Sequence, residues 1–390
     1  MKKVSLFVLI VLFMGSHLCP GQKPEYPPDS KPVSTNVSGL EYPRIDSQLR
    51  AIFKVDAPNA QKVQLSLSGM YDMVKGEDGL WTVTTKPLFP GFHYYTLVID
   101  GYSVADPASE SFFGYAKMQS GIEVPEEGVD YYSVKKVLHG EIRACYYFSE
   151  TTNTFRRCFV YVPPDYDKVL TQRYPVLYLQ HCMGEDERAW PAQGKLNFIM
   201  DNMIAEGKIK PMIVVMDNGN IAAMLRLQRP AAPVTAEAQK EYIAARMQFG
   251  SGFYPILLND LIPFIDATFR TLADRENRAM AGTSWGGLQT LHVTLSNPDK
   301  FSFIGGFSPD LPDPTIEKIF DNVDDFNKRV KVFFLSSGSE EGSRNTNIRN
   351  LHESLEKAGA RHVYYESPGT EHEWLTFRRS LYQFAPLLFK

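Results

Sequence analysis

One glycine-rich turn carries the clearest chemistry. Gly282-Thr283-Ser284-Trp285-Gly286 is a G-x-S-x-G element, and Gly287 extends it. It follows the short apolar run Ala279-Met280-Ala281 and opens a helix-like stretch from Trp285 to Leu295. In that context a serine sits on a sharp strand-to-helix turn, its hydroxyl exposed near a helix N-terminus. Glycine at the flanking positions removes side chains that would collide with neighbouring backbone. The competing reading is a glycine turn that only caps a helix. A neutral serine hydroxyl is a weak nucleophile and needs a base. Four histidines follow Ser284. His292 lies eight residues further on and faces away from the turn, His352 belongs to an amphipathic helix, and His362 starts a strand. His372 sits in Pro368-Gly369-Thr370-Glu371-His372-Glu373, a loop after the last strand, and loops at strand C-termini are where such a sheet assembles a site. His372 is the expected base.

In the α/β-hydrolase order the acid lies between the serine and the histidine. Ser336-Ser337-Gly338-Ser339-Glu340-Glu341-Gly342 leaves the end of a strand and offers two carboxylates. The acid holds the imidazole by its Nδ1–H and stabilises the imidazolium. Glu341, deeper in the loop, is favoured over Glu340, with Asp310 and Asp313 as further candidates. Two main-chain N–H groups must also meet the developing oxyanion. One is that of Trp285, the residue after the nucleophile. The other belongs to the loop Gln180-His181-Cys182-Met183-Gly184-Glu185-Asp186, with Met183 favoured and Cys182 second. The side chains of Trp285 and Met183 line an acyl pocket or simply pack. The mechanism needs no metal and no organic cofactor, and the chain has no C-x-x-C or H-E-x-x-H.

The elements around these residues alternate strand and helix. Pro175-Val176-Leu177-Tyr178-Leu179 and Met212-Ile213-Val214-Val215-Met216 are continuous apolar runs, as buried parallel strands require. Further strands are expected over 303–307, 330–335 and 362–365, with helices over 257–269, 313–328, 345–358 and 373–388. This is a doubly wound, mostly parallel α/β sheet. Ahead of it, short β-type runs at 51–55, 62–67, 80–84 and 93–99 are separated by turn residues and read as a β-sandwich. A hairpin centred between Thr151 and Thr152 sets Cys145 opposite Cys158, either as a disulfide or as two packed thiols. The stretch from Asn218 to Gly252 is too long for a simple connector and reads as a lid or site rim.

The chain has 390 residues, two or three domains' worth. Its net charge of -4 gives no basic face for nucleic acid. Aromatic residues, at 13%, suit both β-rich cores and aryl or carbohydrate recognition. Lys2 and Lys3 precede an apolar run from Leu6 to Met14 that is too short to span a bilayer and reads as a secretory signal cleaved between Gly21 and Gln22. The expected location is secreted or periplasmic. Ser16-His17-Leu18-Cys19 is a poor lipoprotein signal. The expected division is signal 1–21, linker 22–45, sandwich 46–128 and hydrolase 129–390.

Tyr161-Val162-Pro163-Pro164-Asp165-Tyr166, Gly184-Glu185-Asp186-Glu187, the Ser284 turn and Gly369-Thr370-Glu371-His372-Glu373-Trp374 resemble carbohydrate esterase family 1, the feruloyl and acetylxylan esterases, which share a fold with esterase D. Ala57-Pro58-Asn59, Asp78-Gly79-Leu80-Trp81 and Pro90-Gly91-Phe92-His93-Tyr94-Tyr95 resemble a family 48 carbohydrate-binding module, an immunoglobulin-like sandwich. The resemblance implies a secreted α/β-hydrolase that takes feruloyl groups from plant-wall xylan, with acylated xylan or xylo-oligosaccharide as its partner. An acetylxylan esterase, a xylan-binding protein with a decayed hydrolase and a peptidase on the same fold are the rival readings. Two positions depart from the pattern: Cys182 stands where the family has glycine, a change that would narrow the site or tilt the N–H donors, and Trp285 stands where it has methionine, a change that would shrink the acyl pocket. Trp81 either stacks on sugar or belongs to the sandwich core.

Overall fold

A computed structural model describes residues 26–220, 235, 237–238, 241, 244, 252–311 and 314–390. Asp313, the expected signal and most of the expected lid lie outside these residues.

Two sheets form the N-terminal part. The first has the order β1 (Lys31–Pro32), β2 (Arg44–Ile45), β3 (Arg50–Val55), β7 (Trp81–Pro87), β6 (Val74–Lys75). The second has the order β10 (Ser111–Gly114), β11 (Lys117–Val124), β8 (Gly91–Ile99), β4 (Val63–Ser66), β5 (Met70–Asp72), with β9 (Tyr102–Val104) paired to β8. Phe53 and Val55 of β3 meet Val63, Leu65, Tyr95, Leu97 and Ile122 of the other sheet in one apolar core. Alternation along β3 and β4 sends every second residue into that core. Trp81 is buried there, and its indole N–H donates to the Ala57 carbonyl at 2.9 Å. It is therefore a core residue rather than a sugar platform.

The expected linker over 22–45 needs correction within its described part. β1 and β2 pair with each other and β2 with β3, while Val33 and Ile45 enter the core. The polar, proline-rich composition of this stretch hides strands only two residues long. The β10–β11 hairpin was also invisible as a turn. Its tip, Tyr115-Ala116, takes positive φ at both residues (51° and 60°) without the Asn-Gly that usually marks such a turn.

The C-terminal part is an eight-stranded sheet in the order β12 (Glu141–Ser149), β13 (Thr154–Val162), β15 (Ile213–Asp217), β14 (Val176–Gln180), β16 (Arg278–Thr283), β17 (Phe303–Phe307), β18 (Val332–Gly338), β19 (Val363–Ser367). All neighbours from β15 to β19 are parallel, while β12 and β13 form an antiparallel edge. Period-two alternation divides each central strand between two cores. Leu177 and Leu179 enter one with Trp374 and Leu381, and Val176 and Tyr178 enter the other with Leu257 and Ile265. Cys145 and Cys158 are paired across the hairpin, and both are free thiols.

Two expected helices are subdivided. A π-helical turn, Ile256–Leu261, precedes the α-helix Ile262–Thr268, and Pro263, which has no N–H, stands where the bonding pattern changes. The stretch expected as 313–328 consists of Pro314–Ile316, Glu317–Asp321 and Val323–Arg329. Asn322 breaks it by accepting the Asp325 N–H with its side chain, a cap interaction that starts a new helix. The helix Leu196–Ala205 was not anticipated.

The outer face of the second N-terminal sheet packs on the last long helix, Trp374–Phe384. Phe92 and Phe112 share one apolar cluster with Trp374 and Leu375. Beside them the fully buried Arg378 makes two bonds to Glu123 of β11, at 2.6 and 2.8 Å, and its Nε donates to the Gln193 carbonyl at 3.0 Å. Removing one partner strands the other charge in a dry interface. Arg378→Ala should therefore cost about 3–5 kcal/mol of stability in denaturant unfolding. A loss below about 1 kcal/mol, the scale of a surface pair, would contradict this.

Candidate active site

β16 ends at Thr283 and a helix begins at Trp285, leaving Ser284 alone to make the turn. Ser284 has φ 53° and ψ -113°. A non-glycine residue there stores strain of about 1–3 kcal/mol, which the surroundings must hold in place. The Ser284 N–H donates to the Phe307 carbonyl at 2.9 Å, and the Asp310 N–H to the Ser284 carbonyl at 3.1 Å. The glycines are a packing requirement. A Cβ on Gly286 would stand 2.6 Å from the His181 carbonyl oxygen, and one on Gly282 2.4 Å from that of Gly286.

The β18 loop supplies a carboxylate and the β19 loop a ring. His372 Nδ1 lies 2.8 Å from Glu341 Oε2, and the Glu341 side chain is 1% exposed. Its other oxygen accepts from Ser308 Oγ at 2.5 Å and from the Gly338 N–H at 2.7 Å. Burial works against the Glu341 charge, but the bonds from His372, Ser308 and Gly338 outweigh it and hold the carboxyl below its ordinary range. Glu340 is exposed and accepts from Ser339 instead. Asp310 pairs with Arg344, so it is committed elsewhere. His352 and His362 bond each other at 2.7 Å, remote from the turn in sequence and in contacts.

Ser284, His372, Met183 and Asp310 line one cavity of about 1000 Å³. No hydrogen bond of the described residues joins Ser284 Oγ to His372, and none uses the Met183 N–H. Such bonds commonly tighten only once substrate is bound. Trp285 is the first residue of its helix, so its main-chain N–H lies at the positive end of the helix dipole. The Trp285 side chain is wholly buried and is not among the residues lining the cavity, so of its two expected roles it packs; Met183 and Cys182 do line the cavity. Cys182 Sγ donates to Thr283 Oγ1 at 3.2 Å, and burial raises its thiol pKa, so it stays protonated.

Several residues at the site stand in motifs that assign them no individual role. His181 Nε2 accepts the Gly219 N–H at 3.0 Å, which leaves Nδ1–H to donate to the Cys182 carbonyl at 2.7 Å. Burial lowers its pKa to about 4, so the ring is neutral and fixes the loop before Met183. Glu185, pushed up to about 7 by burial, meets Tyr94 of the N-terminal sheets. Tyr94, Tyr115 and Lys117 line the cavity as well, so the N-terminal part forms one of its walls. Proximity along the chain could not reveal Tyr94, 91 residues from its partner. Among the described residues, no group of three or more His, Cys, Asp or Glu could hold a metal ion, and no helix is long and apolar enough to cross a membrane. A hydroxyl on a strained turn, an imidazole tied to a buried carboxylate and nearby main-chain N–H groups can together carry out acyl transfer.

The family model described as "Putative esterase" matches residues 149–388. An endo-1,4-beta-xylanase/feruloyl esterase of Xylanibacter ruminicola is 40% identical over 93% of this chain and 48% of its own length. The endo-1,4-beta-xylanase Y of Acetivibrio thermocellus is 24% identical over 75% of this chain and 27% of its own. The chain thus spans about half the length of the first relative and about a quarter of the second. Among solved structures, a ferulic acid esterase of Anaeromyces mucronatus superposes with a TM-score of 0.53 at 22% identity, covering 67% of this chain and 96% of that one. The enterobactin esterase of Shigella flexneri superposes with a TM-score of 0.61 at 14% identity, covering 86% and 92%. At these identities the likeness shows the α/β-hydrolase fold and nothing finer.

A carboxylate held below its unfolded pKa stabilises the fold above that value, and the contribution is lost as pH falls through the folded one. Glu341→Gln should therefore be less stable than the parent at pH 7, and the gap should narrow below about pH 4. Urea unfolding at both pH values tests this, and a gap independent of pH contradicts it.

Proposed function

The chain belongs to the Esterase family, a family of carboxylic ester hydrolases, and from that premise we propose that it is a serine esterase removing acyl groups, feruloyl by preference, from plant cell-wall xylan. The observation that carries the reading is the 2.8 Å bond from the His372 ring to a buried Glu341 at the cavity that Ser284 also lines.

Ser284 Oγ attacks the ester carbonyl while His372 Nε2 takes its proton. Glu341 keeps the ring oriented through Nδ1–H and stabilises the imidazolium. The main-chain N–H groups of Met183 and Trp285 take the oxyanion. His372 then gives its proton to the ester oxygen of the sugar as its bond to the acyl carbon breaks, so the sugar leaves with a free hydroxyl and the acyl group stays on Ser284. Water activated by the same ring releases the acid and restores the serine.

The xylanase/feruloyl esterase relative supports xylan as the source of the ester. Cavity size supports an aromatic acyl group. A space of about 1000 Å³ walled partly by Tyr94, Tyr115 and Phe377 leaves most of its volume unfilled by acetate. In this reading residues 1–21 are a secretory signal, and the N-terminal sheets are an immunoglobulin-like, carbohydrate-binding module that meets the glycan.

Ser284→Ala should lower hydrolysis of aryl esters by at least about 10³-fold and keep the thermal midpoint within a few degrees. Incubation of the parent with arabinoxylan, followed by chromatography of the acids released, should give ferulate ahead of acetate. Unchanged turnover in the variant would refute the chemistry. Acetate alone would move the reading to an acetylxylan esterase.

A further inference from the structure

The loop Cys182–Asp186, which carries the Met183 N–H, is held from outside the hydrolase sheet. The tip of the β10–β11 hairpin lies across it, and the Ala116 N–H donates to the Gly184 carbonyl at 2.7 Å. Gly184 has φ 79°, and a Cβ there would stand 3.2 Å from Tyr115 Cα, so tip and loop touch closely enough that a side chain would press on the tip. Behind the tip, the Tyr115 ring meets the Tyr94 ring edge-on at 5.4 Å. Tyr94 then donates its hydroxyl to Glu185 Oε1 at 2.8 Å and accepts from Gln193 Nε2 at 2.6 Å.

Glu185 joins a third element. Trp374 Nε1 donates to the same oxygen at 3.1 Å. Trp374 lies two residues after His372, and Glu185 two after Met183. Glu185 is 5% exposed, and its second oxygen is buried with no hydrogen-bond partner. A buried carboxylate that is only half satisfied costs stability. This one sits where the oxyanion loop, the His372 loop and the N-terminal sheet meet.

We propose that Glu185 and Tyr94 are positioning residues for ester hydrolysis. Through them and Ala116, the N-terminal sheets hold the Met183 N–H and the His372 loop in mutual register, so the oxyanion site is complete only with those sheets docked. The proposal rests on the reading of Ser284, His372 and Met183 given above. It assigns the N-terminal part a role in the chemical step, apart from any grip on glycan. A donor displaced from the oxyanion loses part of its stabilisation in the transition state, which lowers kcat for every ester whatever the leaving group. A glycan-binding wall would instead change KM, and only for substrates long enough to reach it.

The test uses the full chain with Tyr94→Phe, Glu185→Gln and the double variant. Tyr94→Phe keeps the ring packing and removes one donor; Glu185→Gln keeps the shape and replaces one carboxyl oxygen with an amide nitrogen. Each is assayed on 4-nitrophenyl acetate, which has no sugar, and on a feruloylated arabinoxylo-oligosaccharide. Active sites are counted by fluorophosphonate titration, so that kcat refers to folded enzyme. Each single variant should lose roughly tenfold in kcat on both esters with KM within about twofold, a fraction of the 10²–10³ lost when an oxyanion donor is removed outright. The double variant should lose less than the product of the two, because the residues act through one contact. An active parent with unchanged kcat in the variants, or a KM rise confined to the oligosaccharide, overturns the inference alone. A parent that hydrolyses no ester and takes no label overturns the esterase reading and this inference with it.

Discussion

Ser284 takes φ 53° and ψ -113° because a buried strand has to stop and a helix start within one residue. Everything around the site follows from that turn. The strand lies in the middle of a sheet buried on both faces, so it cannot shift. The helix behind it presses on the His181 carbonyl closely enough to exclude a Cβ at Gly286. The serine is therefore presented beyond the strand's C-terminal edge, the edge where the loops after β14, β18 and β19 also emerge. A parallel sheet gathers these loops because all its strands end on one side. The separation of Ser284 from His372 in sequence is thus no obstacle to their sharing one cavity.

The second constraint joins the two halves of the molecule. The buried Arg378 and the mostly buried Glu123 pair where the N-terminal sheet rests on the last long helix, and that helix starts directly after the His372 loop. Such a pair adds little net stability over an apolar contact, but losing either partner is costly. With Phe92 and Phe112 packed beside it, the N-terminal part becomes a fixed wall of the cavity. The cavity therefore draws residues from both sides of the expected division at residue 128.

What could be read in the sequence was what depends on local pattern. The runs at 176–180 and 213–217 are apolar throughout because both faces of those strands are covered. The G-x-S-x-G spacing is forced by sterics within a single turn, and Glu341 and His372 come from loops of adjacent parallel strands. What escaped was set by tertiary contact or lacked its usual marker. The helix Leu196–Ala205 carries Leu196, Ile199, Met200 and Met203 at helical spacing, so its signal is in the sequence. The hairpin tip Tyr115-Ala116 gives no such signal, since its positive φ values fall on residues with side chains. The wholly buried Trp285 does not line the cavity, because the helix it opens directs its side chain inward. No periodicity could have connected Tyr94 to Glu185.

On the proposed mechanism one hydroxyl, that of Ser284, is the group that is acylated. Inactivating the enzyme in stages with a fluorophosphonate, while following residual esterase activity and the modified peptide by mass spectrometry, tests it. A single adduct on Ser284 is expected, its occupancy rising in step with the activity lost. Full activity with Ser284 occupied, or inactivation with the adduct on another residue, would contradict it.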